Sequence, residues 1–297
     1  MSETPRAPLP ADTFVGGYRI VSELWDGGFG IVYVALDSSG NKVALKEYLP
    51  IGLTARAPGT LVPQVLPGRA ETYSQGVKDF LEIGRYALQF SHPAVVGVSA
   101  VFEEYQTAYL VMEYLHGETL QNFIVTARTR KRPEVFQETT IRSLFADALL
   151  GLQRLHERGV IHLDLKPSNF FITNDNRIVL LDFGAARVGG HNGAGLPVLS
   201  HVVYTPGFAA PEVYRRGATL GAWTDIYAAG ACLFSCMRGY PPRDVPQRLK
   251  EDLLERSLAR LGAVYSAPLV DAVRRCMALD AAARPQSVSA LRAMLEQ

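Results

Sequence analysis

Strong patterning begins at residue 18. Tyr18-Arg19-Ile20-Val21, Gly30 to Leu36 and Lys42-Val-Ala-Leu-Lys46 are short runs rich in β-branched and aromatic residues. Turn formers separate them, Asp26-Gly27-Gly28 and then Ser38 to Asn41. Such runs between turn signals predict an antiparallel meander. A helix is predicted over 78–90, and two more strands over 95–103 and 107–113. From about residue 117 the period becomes helical, with Leu144, Phe145, Ala148, Leu149, Leu152 and Leu155 recurring on one face of 141–157. Short strands at 170–172 and 178–181 follow, and helical patterns resume beyond Pro211. The pattern predicts an α+β chain: a β-rich region over 14–113 and a mostly helical one over 114–297. Residues 1–13, Pro-rich and polar, read as a flexible tail. Residues 49–75, with Pro50, Pro58, Pro63 and Pro67, read as a long irregular insertion.

Composition narrows the function classes. The 297 residues are 48% hydrophobic and 20% charged, ordinary for a globular protein with a sizeable core. A formal charge of +1 gives no whole-molecule field for nucleic acid or anionic membrane. No apolar run approaches the ~20 residues that a spanning helix needs. Cys232, Cys236 and Cys276 fit neither a disulfide framework nor a Cys-x-x-Cys metal site. They read as buried free thiols in a reducing, cytoplasmic setting.

The chemistry concentrates in two short runs, His162-Leu-Asp-Leu-Lys-Pro-Ser-Asn169 and Leu181-Asp182-Phe-Gly184. Phosphoryl transfer needs counter-charge, metal-holding oxygens and a carboxylate to orient the attacking hydroxyl. The first run offers Asp164, Lys166 and Asn169 together, and the second offers Asp182, a hard oxygen ligand suited to Mg²⁺. Upstream lie Asp26-Gly27-Gly28-Phe29-Gly30-Ile31-Val32 and Val43-Ala44-Leu45-Lys46; downstream lie Thr205 to Glu212, Asp225 to Gly230 and Ala283-Arg284-Pro285.

In content and order these motifs resemble a eukaryotic-type protein serine/threonine kinase domain, in particular a bacterial branch of that family. The resemblance covers about residues 18–296 and implies a bilobal protein-kinase-like fold. It implies ATP with Mg²⁺ or Mn²⁺ as cofactors, and a protein Ser/Thr hydroxyl as acceptor. Gly27, Gly28, Phe29 and Gly30 would cover the phosphates, and Lys46 would grip them. Met112 would be the gatekeeper, the backbone of Glu113 and Leu115 would bond adenine, and Val32, Ala44 and Phe171 would sandwich the base. Asp164 matches the catalytic base, Lys166 the lysine near the transferred phosphate, and Asn169 and Asp182 the metal ligands. Thr205 would bond the Asp164/Lys166 pair. Glu212 with Arg284 would form a buried structural ion pair, and Asp225 would anchor the catalytic loop.

Three positions depart from the pattern. The first loop glycine is Trp25, which should stiffen or cover the nucleotide pocket. The helix glutamate expected to pair with Lys46 falls at Ile83, leaving Glu82, the favoured substitute, or Asp79. The arginine that usually binds a phosphorylated activation segment is Leu163, so phosphorylation of Ser200 or Thr205 is not expected to be the switch. Trp25 and Ile83 keep open a second reading, a nucleotide-binding pseudokinase scaffold with little transfer. A small-molecule kinase of the aminoglycoside-phosphotransferase type is disfavoured by the Thr205 segment, Ala210-Pro211-Glu212 and Asp225.

Overall fold

The structure is a computed structural model, and it describes residues 5–129, 137–182, 185–188, 196–197 and 204–297. Phe183, Gly184, Ser200 and the basic residues Arg130, Lys131 and Arg132 lie outside the described residues. The chain divides into two compact units, residues 1–91 with 96–115, and residues 92–95 with 116–297.

Unit 1 is built on strands β1 (Phe14–Val15), β2 (Tyr18–Gly27), β3 (Gly30–Leu36), β4 (Lys42–Tyr48), β5 (Thr54–Ala55), β6 (Gln64–Val65), β7 (Val98–Glu104) and β8 (Thr107–Glu113), with helix α1 (Ala70–Leu88). Six strands form one antiparallel sheet in the order β1-β2-β3-β4-β8-β7. Side chains alternate across a strand, so β4 sends Leu45 and Glu47 to one face and Ala44 and Lys46 to the other. The first face carries an apolar cluster that includes Ile31, Tyr33, Leu45, Leu49, Tyr109 and Val111.

That cluster also contains Leu9, and residues 5–13 are therefore not the flexible tail their composition suggests. Arg6 bridges to Arg56 in parallel register, Ala7 N–H donates to the Arg56 carbonyl, and Arg56 N–H donates to that of Pro5, both at 2.9 Å. The Pro-rich insertion is likewise ordered. β5 and β6 pair within it, and Arg56 is fully buried. Its last residues belong to α1, which starts at Ala70 rather than Lys78, with Arg69 as the cap after Pro67-Gly68. Strand β7 starts at Val98, three residues later than expected.

Unit 2 contains β9 (Gly117–Thr119), α2 (Leu120–Thr129), α3 (Glu138–Glu157), β10 (Val160–Ile161), β11 (Phe170–Thr173), β12 (Ile178–Leu180), β13 (Arg187–Val188), α4 (Ala222–Arg238), α5 (Val245–Lys250), α6 (Leu254–Leu261), α7 (Ala267–Cys276) and α8 (Val288–Leu295). A small sheet in the order β12-β11-β9 and the β10–β13 pair frame the loop 162–169. Helix α4 runs through the core. Every residue from Thr224 to Met237 is buried, and Gly239 ends the helix in the left-handed conformation at φ 80°, with its N–H on the Ser235 carbonyl. Cys232 and Cys236 of α4 and Cys276 of α7 are buried free thiols, and burial raises the pKa of all three, those of Cys236 and Cys276 to about 12.

Candidate active site

The loop from His162 to Asn169 is held from below by one carboxylate. Asp225, near the start of α4, is fully buried; its Oδ2 accepts from His162 N–H and its Oδ1 from Leu163 N–H, each at 2.8 Å. His156 Nε2, on α3, lies 2.7 Å from the same Oδ2. Burial alone would raise the Asp225 pKa, but the His156 and His162 contacts outweigh it and hold the carboxyl below its usual value. His156 was not foreseen from the sequence. Its only sign was its place at the C-terminal end of an amphipathic helix, where an imidazole also meets the helix dipole.

So tethered, the loop adopts a conformation that side chains avoid. Leu163 sits at φ 63°, and Asp182 in the neighbouring loop has the same value. Left-handed non-glycine residues cost on the order of 1–3 kcal/mol each and persist where surroundings over-determine them. Two bonds join the loops here: Leu181 N–H donates to the Asn169 carbonyl at 2.8 Å, and His162 Nε2 is 3.0 Å from the Leu181 carbonyl.

Four predicted site residues meet directly. Lys166 Nζ donates to Asp164 Oδ2 at 2.7 Å and to Thr205 Oγ1 at 3.3 Å, while the Thr205 hydroxyl donates to Asp164 Oδ1 at 3.1 Å. Asn169 Nδ2 donates to the Asp164 carbonyl at 2.8 Å and to Asp164 Oδ2 at 3.1 Å. The amide nitrogen is thereby committed to Asp164, which leaves the Asn169 Oδ1 as its hard oxygen donor. An amide oxygen and the carboxylate of Asp182 are donors of the hard kind that Mg²⁺ takes. Among the described residues no three His, Cys, Asp or Glu side chains cluster to hold a metal.

Below this group, Arg284 makes a bidentate pair with Glu212 at 2.7 and 3.0 Å, and Thr224 Oγ1 donates to the same carboxylate at 2.9 Å. This fixes the Ala210-Pro211-Glu212 segment onto α4. Phe171, on β11, pairs with Val179 and Thr119.

In unit 1 the Gly27–Gly30 turn closes the β2–β3 hairpin, and its ladder ends on a Gly27–Gly30 pair. A Cβ on Gly30 would collide with the Glu47 carbonyl, so only glycine allows the hairpin to lie this close to β4. Gly28 and Phe29 carbonyls accept from Ile51 and Leu49 N–H at 2.9 and 3.1 Å. Arg6, unforeseen in the sequence, pins the hairpin by an ion pair to Asp26 and a 3.0 Å bond to the Gly27 carbonyl. Trp25, 40% exposed, lays its indole against Gly27.

Lys46, 3% exposed, stands opposite Val32 and Leu110, and Ala44 stands opposite Val34 and Met112. Glu113 N–H donates to the Gly97 carbonyl at 3.0 Å and is thus committed. Leu115 is the last residue of the unit. Glu82, the favoured partner for Lys46, is exposed and makes no ion pair among the described residues. The reason is helical geometry, since Ile83 takes the buried face of α1 and its neighbour is turned ~100° away. Asp79 is half-buried and accepts from Gln75 Nε2 at 2.7 Å.

Comparison with known proteins bears on this geometry. The family model described as "Protein kinase domain" matches residues 70–294. The chain belongs to the protein kinase family. It is 31% identical to the serine/threonine-protein kinase PknB of Mycobacterium tuberculosis over 220 residues, 70% of this chain and 34% of that protein. It is also 31% identical to the serine/threonine-protein kinase pkn2 of Myxococcus xanthus over 299 residues, 95% of this chain and 33% of that one. The chain thus spans a quarter to a third of the length of the curated relatives it matches. Among solved structures, the apo form of PpkA-294 is 32% identical with a TM-score of 0.77, covering 97% of this chain and 99% of that one. The M. tuberculosis PknI kinase domain, 20% identical with a TM-score of 0.67 over 97% of this chain and 99% of its own, shares the fold. No helix among the described residues is long and apolar enough to cross a membrane.

Proposed function

We propose that this chain is a serine/threonine protein kinase that moves the γ-phosphoryl group of ATP to a protein hydroxyl. The observation carrying this reading is the closed set of bonds among Asp164, Lys166, Asn169 and Thr205. Asp164 is a carboxylate with a cation at 2.7 Å, placed to orient a Ser or Thr hydroxyl and accept its proton. Lys166 supplies positive charge beside it for the phosphoryl group in flight. Thr205 keeps both side chains in register and supports a Ser/Thr rather than Tyr acceptor.

Asn169 and Asp182 would hold Mg²⁺, or Mn²⁺, which supplies charge neutralisation on the phosphates when bound. In unit 1 we assign the Gly27, Gly28, Phe29 and Gly30 turn and Lys46 to the phosphates. Val32, Ala44, Met112, Glu113 and Leu115 are assigned to the base. Asp79 is the remaining candidate to orient Lys46. Asp225, Glu212 and Arg284 are positioning residues. The three buried free thiols support a reducing, cytoplasmic setting.

The test is transfer of radiolabel from ATP to a generic protein acceptor with Mg²⁺, comparing wild type with Asp164→Asn. Transfer by wild type, lost by at least about 100-fold in the variant, supports the proposal. Nucleotide-induced thermal stabilisation without transfer in the wild type would overturn it in favour of a scaffold.

A further inference from the structure

Unit 2 holds a cavity of about 390 Å³ where the C-terminal end of α4 meets α5 and α6. Its charge is one-sided: Arg238, Arg243, Arg248, Arg256 and Arg260 line it against a single carboxylate, Asp252. That carboxylate is already spent. Arg248 binds it with Nε at 3.1 Å and Nη2 at 2.8 Å, and turns Nη1 to the Tyr227 hydroxyl and the Met277 carbonyl at 3.0 and 2.7 Å. Arg248 is thus part of the wall, and the other four guanidiniums receive no counter-charge from the lining.

Their surroundings leave them unmatched. Arg243 reaches the Glu251 carboxylate at 3.0 Å, an exposed pair of small worth. Arg256 and Arg260 sit one turn apart on α6, exposed and without an ion pair among the described residues. Like charges at that spacing repel. Arg238 lies over the Tyr240 ring at 4.8 Å, and its Nε is buried with no hydrogen-bond partner among the described residues. A buried donor left unmade is costly, and a guanidinium fork matches carboxylate and phosphate oxygens in pairs.

The cavity adjoins the acceptor machinery. Pro241 and Pro242 line it, and Gly207 abuts that wall: a Cβ there would lie 2.8 Å from the Pro242 carbonyl oxygen. Gly207 is two residues beyond Thr205, whose hydroxyl is bonded to Asp164. The short segment from Thr205 to Gly207 thus links the acceptor carboxylate to this wall.

We propose that the cavity binds an acidic side chain, phosphoserine above all, on the same protein substrate that presents its hydroxyl to Asp164. It thereby selects substrates already acidic or phosphorylated near the acceptor. The inference rests on the kinase reading above, and its test keeps the two apart. In the binding arm, fluorescein-labelled peptides carrying phosphoserine or serine beyond the acceptor are titrated with the full chain by anisotropy. The phosphorylated peptide should bind about tenfold tighter, an advantage that weakens with salt and vanishes in Arg256→Glu/Arg260→Glu. Both arginines are exposed, so the variant should keep its thermal midpoint. In the kinetic arm, the variant should raise KM for an acidic peptide about tenfold, with kcat and the KM for ATP unchanged. Equal binding of the two peptides to wild type, or a preference that survives in the variant, overturns the proposal. So does inorganic phosphate binding as tightly as the phosphopeptide, which would make the cavity a plain anion site. A binding preference without transfer to any peptide keeps the cavity's assignment and overturns the transfer reading instead.

Discussion

Arg56 closes a bidentate ion pair on Glu47, with both side chains fully buried on the face of β4 opposite Lys46. The Tyr33 and Tyr109 hydroxyls donate to the same carboxylate at 2.8 and 3.0 Å. Burial and the Glu47 charge push both phenols up, so they stay donors. Removing one partner strands the other charge, so Arg56→Met should destabilise unit 1 by about 3–5 kcal/mol. The double variant Glu47→Leu/Arg56→Met should regain part of this, because neither charge is then stranded. Urea unfolding followed by tryptophan fluorescence measures both; a single-variant loss below about 1 kcal/mol would show the pair to be energetically idle.

Arg6 couples the N-terminal segment to the glycine-rich hairpin through Asp26 and the Gly27 carbonyl. Arg6→Ala should free the turn. Amide exchange across residues 26–30 is expected to quicken about tenfold, with little change in α4. Equal exchange in the two proteins would mean that the turn is held by Ile51 and Leu49 alone.

Asp225 makes stability acid-sensitive. Its carboxyl ionises at a lower pH in the folded chain than in the unfolded one. The stabilisation is therefore complete above the ordinary value of about 3.8 and is lost as pH falls through the lower folded value. Asp225→Asn should flatten this acid limb. It should also cost about 1–3 kcal/mol at neutral pH, because an amide cannot accept from His162 and Leu163 with both of its ends. An unchanged acid-unfolding midpoint would remove Asp225 from this role.

Thr205 is bonded to both Lys166 and Asp164. Thr205→Val should lower kcat about 10–100-fold with the KM for ATP unchanged, and Thr205→Ser should restore most of it. With Leu163 offering no guanidinium, Thr205→Glu should be as slow as Thr205→Val. An active Thr205→Glu protein would instead indicate a phosphate-operated switch.

The parts legible in the sequence are those whose partners lie close along the chain or alternate simply. Asp164, Lys166 and Asn169 share one eight-residue run, and Lys46 sits in a run read as a strand, which the structure pairs with β3. What escaped depends on distant pairing. Residues 5–13 look too poor in apolar side chains to order themselves, and they dock through distant partners, among them Arg56, some 50 residues on, which supplies backbone partners for Pro5 and Ala7. One clue was available. The alternation that turns Lys46 to one face puts Glu47 beside Leu45 on the buried one, and a buried carboxylate requires a cation. The exposure of Glu82 has a local reason, since one helical position separates the buried Ile83 from a solvated neighbour.

The cysteines have a practical consequence. All three lie in the helical unit, and none exceeds 3% exposure. A thiol reagent added to the native protein therefore meets no sulfur until α4 or α7 loosens. Labelling kinetics would report the opening of that half alone, with no engineered residue.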